Sequence, residues 1–243
     1  MQATAKDLMS EDVSLPTRIL IEGKHVTKMF KRDAFQITAL DDVSLAVKKG
    51  EFLAIMGPSG SGKSTLLNLI AGIDKPTSGE LLVDGKSVHA LKDAEAAIWR
   101  NRNIGFIFQS FYLIPVLSAF ENIELPLLLS PLSSKQRQDH VNNALELVGL
   151  KDRADHLPRQ LSGGQEQRVV IARAIVSDPE IILADEPTGD LDKTSATEVM
   201  QLLKQLNQQL KKTVVLVTHD QNAAGYADEV KHLGKGVLSQ PPR

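Results

Sequence analysis

The chain has 243 residues, 42% of them hydrophobic, which is enough to bury a core and fits one domain of ordinary or slightly generous size. A formal net charge of −2 gives no electrostatic case for a nucleic-acid partner, so none is expected. The lack of cysteine excludes disulfides, thiol catalysis and thiolate metal sites.

Residues 1–17 read as a polar N-terminal extension. The stretch Met1 to Leu15 contains acidic residues and lacks the apolar core of a signal peptide, and the longest apolar run, Leu125 to Leu132, is short and cut by two prolines. We therefore expect a soluble, non-secreted chain whose main domain spans residues 18–243.

The first part of this domain reads as short strands. Ile19 to Ile21, His25 to Met29 and Phe52 to Met56 are runs of strand length, and Lys49-Gly50 is a turn signal before the third. The third strand would lead directly into a glycine-rich loop.

That loop, Gly57-Pro58-Ser59-Gly60-Ser61-Gly62-Lys63-Ser64, matches the phosphate-binding pattern G-x-x-x-x-G-K-[ST] and precedes an apolar helix over Thr65 to Ala71. In such a loop, backbone N–H groups surround the β-phosphate, the Lys63 ammonium reaches the β and γ oxygens, and the Ser64 hydroxyl can bind Mg²⁺. Thr65, which follows the loop, is also expected to bind the nucleotide. A merely structural glycine turn is the poorer alternative, because the flanking strand and helix are the context that the pattern requires.

The middle of the chain turns helical between Leu91 and Leu161. Lys135 to Val148 is an amphipathic helix that the glycine after it can end. Within this region Ile104 to Phe108 predicts a further strand, and Gln109 follows it, where an amide could contact both a metal and an attacking water. We expect an inserted helical lobe at about 91–163.

The pentapeptide Leu161-Ser162-Gly163-Gly164-Gln165 precedes a predicted helix over Gln165 to Val176. Its two glycines let the backbone approach an anion closely, and the helix start would aim N–H groups and a positive dipole end at that anion. A purely structural interpretation also exists, because Ser162 and Gln165 form an S-x-x-Q capping box. The two are compatible, since Ser162 can cap the helix while the glycines expose its N-terminus.

The last part alternates strands and helices. Ile181 to Ala184 and Val214 to Val217 are near-continuous apolar runs typical of buried parallel strands, and the helix Thr194 to Leu210 separates them. The pattern predicts an α/β fold with its chemistry at the carboxyl ends of the strands.

Charged side chains stand at those ends. Asp185 and Glu186 form a pair of carboxylates that is costly unless a cation or hydrogen bonds compensate it. Magnesium would do so, with Asp185 on the metal side and Glu186 free to orient or deprotonate a water that attacks the γ-phosphate. His219 follows the next strand and would reach the same site. Taken alone, the Asp185-Glu186 pair and His219 are weak signals, because polar residues commonly follow a strand where it reaches solvent. Together with the phosphate loop they strongly indicate a nucleotide site.

From about residue 18 to the C-terminus, the order and rough spacing of these motifs resemble those of the ATP-binding cassette (ABC) ATPases. The resemblance implies a P-loop NTPase core with a mainly parallel sheet, an N-terminal antiparallel β lobe and an inserted α-helical lobe. It also implies ATP and Mg²⁺ as ligands. The motifs are the phosphate loop, Gln109, the 161–165 pentapeptide, Asp185-Glu186, Gly189-Asp190-Leu191-Asp192 and His219.

The resemblance implies a role for individual residues. Phe30 corresponds to the aromatic that stacks on adenine, where many relatives have Tyr. Glu186 corresponds to the catalytic base, His219 to the switch histidine at the γ-phosphate, and Asp192 to the loop that crosses the dimer interface. The pentapeptide would serve the ATP held by the other subunit. Lys63 and Gln109 complete the catalytic set, and Ser64, Gln109 and Asp185 form the metal set.

A finer resemblance is to ATPase subunits of lipoprotein-releasing and macrolide-efflux transporters, the mechanotransmission class. It implies that two copies bind ATP head to tail and drive a polytopic membrane subunit from the inner, cytoplasmic face of the cell membrane. The aromatic cluster after Gln109 is then a groove for a helix of that subunit or packing of the helical lobe, and both can hold. Glu166 and Asp190 depart from the pattern, since relatives often have Gln and Asn there. The segments that carry the resemblance are Phe106 to Gln109, Phe111 to Pro115, Glu121-Asn122-Ile123, Leu125-Pro126-Leu127, Pro187 to Asp192 and Val217 to Asp220.

Two other functions stay open. A soluble or division-associated ABC ATPase would share the cassette, although DNA-repair members usually carry long coiled-coil insertions and translation factors usually carry two cassettes. A small-molecule kinase would share the phosphate loop, but it has no need of residues 161–165 and needs an acceptor site that the sequence does not offer.

Overall fold

The computed structural model describes residues 18–32 and 35–239, so the predicted extension 1–17 lies outside the described residues. Its strands are β1 (Ile19–Arg32), β2 (Phe35–Lys48), β3 (Phe52–Met56), β4 (Ser78–Val83), β5 (Ile104–Ile107), β6 (Ile181–Asp185), β7 (Thr213–Thr218), β8 (Glu229–Gly234) and β9 (Val237–Ser239). Its α-helices are α1 (Lys63–Ile70), α2 (Asp93–Asn103), α3 (Ala119–Glu124), α4 (Ser134–Leu147), α5 (Gly163–Ile175), α6 (Lys193–Leu210) and α7 (Gln221–Ala224). Short 3₁₀ helices lie at Val88–Ala90, Leu125–Leu129, Lys151–Arg153 and Pro158–Gln160.

The N-terminal strands form an antiparallel sheet in the order β2-β1-β4. The prediction of two separate strands at 19–21 and 25–29 is wrong, because β1 continues through both. The polar residues between them interrupt the apolar run without interrupting the strand. Register shifts around His25, whose φ is 52°, absorb the irregularity and let the pairing resume.

The main sheet has the order β5-β6-β7-β3-β8-β9, and its neighbouring strands are parallel except for the β8–β9 pair. The predicted α/β class, with a mainly parallel sheet and an N-terminal antiparallel sheet, is confirmed. All residues of β3 and β7 are buried, as strands covered on both faces should be. The carboxyl ends of β6, β7 and β3 therefore meet at one edge of the sheet.

Each face of the main sheet has its own hydrophobic core. Alternate residues of β3 serve the two sides: Phe52, Ala54 and Met56 pack with α3, α4, α5 and α6, whereas Leu53 and Ile55 pack with α1 and the antiparallel sheet. Within the region 91–163, β5 joins the main sheet, while α2, α3 and α4 supply its helices. None of the helices in the described ranges is both long and apolar enough to cross a lipid bilayer.

Candidate functional site

The loop at residues 57–62 connects β3 to α1 and is enclosed by two other strands. A Cβ atom at Gly57 would clash with the backbone carbonyl of Leu233 in β8, and one at Gly62, whose φ is 102°, would clash with the carbonyl of Ala39 in β2. Only glycine fits such close approaches. The buried Ser61 hydroxyl has no hydrogen-bond partner among the described residues. This hydroxyl and the first N–H groups of α1 can donate hydrogen bonds to the oxygens of a phosphate.

The Lys63 side chain starts from the first residue of α1 and turns back toward the loop. Its Nζ donates hydrogen bonds to the carbonyl oxygens of Gly57 at 2.8 Å and Pro58 at 3.1 Å. The same Nζ lies 3.6 Å from Oε1 of Glu186, and both side chains are largely buried. A lysine and a carboxylate predicted from separate motifs thus meet at the sheet edge.

Glu186 also meets His219 at this edge. Its Oε1 lies 3.0 Å from His219 Nδ1, and its Oε2 accepts the His219 backbone N–H at 3.3 Å. The Glu186 backbone has a φ of 47°, a left-handed conformation that is rare outside glycine and clusters at functional sites. Its own N–H donates to the Val217 carbonyl, which ties the end of β6 to β7. The carboxylate is therefore held between groups that follow β3 and β7.

Asp185 directly precedes Glu186, and its surroundings disfavour the ionised form of its carboxyl group. Burial raises its pKa, and the charge of Glu186 adds to this effect, whereas a hydrogen bond from Ser64 and the charge of Lys63 act in the opposite direction. A divalent cation would stabilise the ionised form. Mg²⁺ prefers oxygen ligands and is usually bound by one or two carboxylates together with substrate phosphates, so the Ser64 hydroxyl and the Asp185 carboxylate fit it.

Gln109 follows β5 and contacts the segment after Glu186. Its Nε2 lies 3.5 Å from Oδ1 of Asp190. A Cβ at Gly189 would lie 3.1 Å from that same nitrogen, so the amide packs closely on the backbone there. The structure thus brings Gln109 beside Gly189-Asp190-Leu191-Asp192.

The pentapeptide 161–165 forms the start of α5, which begins at Gly163 rather than at Gln165. The predicted capping box is confirmed: the Ser162 hydroxyl accepts the Gln165 N–H at 3.3 Å, and the Gln165 side chain accepts the Ser162 N–H at 2.9 Å. Both glycines lie in the first turn because Ser162 occupies the N-cap. The N-terminal N–H groups of α5 are consequently flanked by residues without side chains.

Asp192 caps α6 next to the start of α5. It accepts the N–H groups of Thr194 at 2.9 Å and Ser195 at 3.0 Å, and the Ser195 hydroxyl at 2.6 Å. The hydrogen bonds from Ser195 hold the pKa of this exposed carboxyl below its usual range. A Cβ at Gly164 would lie only 2.6 Å from Ser195 Oγ, so the first turns of α5 and α6 are in close contact.

Phe30 lies on β1, in the antiparallel sheet, with 42% of its surface exposed. The ring is therefore accessible to a ligand on at least part of its surface. Lys28 Nζ lies 4.8 Å from the ring centroid.

Two residues that support the site did not emerge from the sequence motifs. Gln167 in α5 is fully buried, and its Nε2 donates to the Pro187 carbonyl at 2.7 Å, directly after Glu186. Arg173 donates to the carbonyls of Phe111 at 3.0 Å and Tyr112 at 2.8 Å, which fixes the segment after Gln109 to α5. A polar residue at a core position of an amphipathic helix, as Gln167 is, was the available signal.

The chain is similar to known proteins in both sequence and structure. The sequence model of the family described as "ABC transporter" matches residues 40–189. The chain is 49% identical over 225 residues to the uncharacterized ABC transporter ATP-binding protein MJ0796 of Methanocaldococcus jannaschii, covering 91% of this chain and 96% of that protein. It is 43% identical over 218 residues to the lipoprotein-releasing system ATP-binding protein LolD of Bordetella avium, covering 90% and 95%. A dimeric structure of MJ0796, described as a post-hydrolysis state bound to ADP and Pi, matches with a TM-score of 0.84 and 45% identity, covering 92% of this chain and 100% of that chain.

Proposed function

The chain belongs to the ABC transporter family of ATP-binding proteins and is an ATPase of the dimeric cassette type, and from this premise we propose which residues hydrolyse ATP and which partner the dimer drives. The domain is proposed to span residues 18–243, with a helical lobe at about 91–163. The observation that carries the proposal is the Glu186 carboxylate, held between Lys63 and His219 at the end of β6.

Hydrolysis takes place where these three side chains meet. The backbone N–H groups of Gly57 and of residues 59–65, together with the Lys63 ammonium, bind the β- and γ-phosphates. Ser64, Asp185 and Gln109 would hold Mg²⁺, and the ion would supply positive charge to neutralise the phosphate oxygens. Glu186 accepts a proton from the water whose oxygen forms the new bond to the γ-phosphorus, while the bond from that phosphorus to the β–γ bridging oxygen breaks. His219 keeps the carboxylate oriented and contacts the γ-phosphate.

Two copies pair head to tail, and each ATP is enclosed by the phosphate loop of one subunit and the 162–165 segment of the other. The contact between Gly164 and Ser195 supports this arrangement. Because the two helix starts touch, Asp192 and the glycine turn move together when the subunits approach each other. The N-terminus of α5 then adds donors and a positive dipole end at the γ-phosphate.

The dimer drives a polytopic membrane subunit of the lipoprotein-release or macrolide-efflux type, at the cytoplasmic face of the membrane. The similarity to the LolD protein supports this class of partner. Tyr112, Ile114 and Val116 add an exposed apolar surface after Gln109. Arg173 joins the same segment to α5, so that movement of the partner-binding surface and of the glycine turn is coupled.

Affinity capture from solubilised membranes tests the partner. We expect a polytopic subunit to co-purify with the parent protein and to be lost with Val116→Asp, because Val116 is 79% exposed and its replacement spares the core. Leu210→Asp, at the exposed end of α6, is the matched control and should retain the subunit. Recovery with ribosomes or DNA instead would contradict the transport function and favour a soluble ABC ATPase.

A further inference from the structure

The antiparallel sheet contains a lysine with a largely buried side chain that the proposed function does not use. The Lys28 side chain on β1 is only 12% exposed. Its Nζ donates to Oδ1 of Asp74 at 2.6 Å and to the Lys75 carbonyl oxygen at 2.9 Å. A largely buried lysine side chain needs such partners for its charge, and together they hold the ammonium in one place.

This ammonium lies over the ring of Phe30. The distance of 4.8 Å from Nζ to the ring centroid is within the range of a cation–π interaction. Because the cation lies over one face of the ring, a base that stacks on Phe30 would use the opposite face, and 42% of the residue's surface is exposed. Stacking on a heteroaromatic base requires only one such face.

The segment that carries Phe30 is also bonded to the turn after α1. The Thr77 hydroxyl oxygen accepts a hydrogen bond from the Met29 N–H at 2.9 Å, and the Thr77 N–H donates to the Thr27 carbonyl oxygen at 2.8 Å. The Asp74 N–H in turn donates to the carbonyl of Asn68 within α1 at 3.2 Å. Hydrogen bonds thus connect the strand segment that carries the aromatic ring to the turn that follows α1, and that turn to α1 itself.

We propose that Lys28, anchored by Asp74, is a positioning residue for the base of the nucleotide. It holds the Phe30 ring in one orientation, so that the free face meets the base at a fixed distance from the loop at 57–64. This inference rests on the proposed ATP site, together with the stacking of Phe30 on adenine that the family resemblance implies.

The test compares ATP with tripolyphosphate, a probe that has phosphates and no base, by isothermal titration calorimetry. Phe30→Leu should weaken ATP binding about 5- to 100-fold, the usual range for loss of one stacked base. Lys28→Met should weaken it about 2- to 6-fold, as expected for one cation–π contact. Neither substitution should change the affinity for tripolyphosphate.

A double variant separates positioning from a general structural effect. In the Phe30→Leu background, Lys28→Met should weaken ATP binding no further, because its effect passes through the ring. Lys31→Met, an exposed lysine one residue beyond Phe30, is the matched control and should bind ATP like the parent. Lys28→Arg keeps a cation over the ring and should retain most of the ATP affinity. If Lys28→Met does not fold, Asp74→Asn releases the anchor and should give the same pattern of effects.

The outcomes distinguish the inference from its premise. If Phe30→Leu weakens ATP binding and Lys28→Met does not, the positioning role is wrong and the base site stands. Weaker tripolyphosphate binding in Lys28→Met would also overturn the positioning role. So would a loss of ATP affinity on adding Lys28→Met to Phe30→Leu that equals the loss Lys28→Met causes in the parent protein. Unchanged ATP affinity in Phe30→Leu would remove the stacking function itself.

Discussion

Replacing Glu186 with glutamine removes a negative charge at the edge where β3, β6 and β7 end, while the size of the side chain is kept. The carboxylate accepts the His219 backbone N–H at 3.3 Å, and an amide oxygen can still accept it. The Glu186 backbone bond to Val217 does not depend on the side chain. We therefore expect the fold and the surrounding loops to persist in Glu186→Gln.

The rate of ATP hydrolysis and the affinity for ATP should respond differently to Glu186→Gln. Loss of a general base typically lowers turnover about 10²- to 10⁴-fold, or about 2.7–5.5 kcal/mol of barrier. Lys63 Nζ lies 3.6 Å from Glu186 Oε1, an attraction of about 4–5 kcal/mol at an effective dielectric constant of about 20. This attraction competes with the phosphates for Lys63. After the substitution the carbonyls of Gly57 and Pro58 still pair the ammonium, so ATP affinity should be equal or higher while turnover falls.

Phosphate release under steady-state and single-turnover conditions measures the chemistry, and size-exclusion chromatography with light scattering measures ATP-dependent dimers. Glu180→Gln is the matched control. Glu180 directly precedes β6, whereas Glu186 directly follows it, so Glu180 lies at the opposite, amino end of the strand, where it pairs with Lys49. Turnover of Glu186→Gln close to that of the parent would remove Glu186 from the role of base. An equal fall in Glu180→Gln would show that the loss is not specific to this edge.

Three further changes test other parts of the molecule. His219→Ala should impair hydrolysis and keep ATP binding, measured by equilibrium dialysis, because the exposed imidazole contacts the Glu186 carboxylate; loss of binding alone would indicate a folding defect. Ser162→Arg should spare nucleotide binding by the single subunit yet abolish ATP-induced dimers and turnover, and an active dimer would reduce Ser162 to a helix cap of about 1 kcal/mol. Burial, with the nearby Glu229, raises the pKa of Glu51, so the folded state holds that proton more tightly than the unfolded chain does and stability falls as pH rises through the raised pKa. Glu51→Gln should therefore raise the melting temperature more at about pH 8 than at about pH 4, and equal shifts would contradict this assignment.

Features that depend on neighbouring residues were predictable from the sequence. The phosphate loop lies between β3 and α1 as its pattern requires, and the apolar runs before Asp185 and His219 are buried parallel strands. The capping box at Ser162 is likewise a local arrangement of four residues. Helix starts differ by a residue or two, because the cap rather than the first apolar residue determines where a helix begins.

Contacts between distant segments were not predictable in this way. Lys28 and Asp74 are 46 residues apart, and neither belongs to a motif. The support of Pro187 by Gln167 depends on how α5 packs under the end of β6. The continuity of β1 through its polar middle depends on pairing with β2 and β4 on both sides. In each case the partner is supplied by an element whose place the local pattern does not encode.

The family resemblance, the residues of the loop at 57–64 and the strands before Asp185-Glu186 and His219 could be predicted from local motifs, because they depend on short-range geometry and residue chemistry. The position of β3 between β7 and β8, and the contacts of the Glu186 carboxylate with both Lys63 and His219, emerged with the folded structure. Strand order and side-chain contacts follow from packing both faces of the sheet, which involves the whole chain at once.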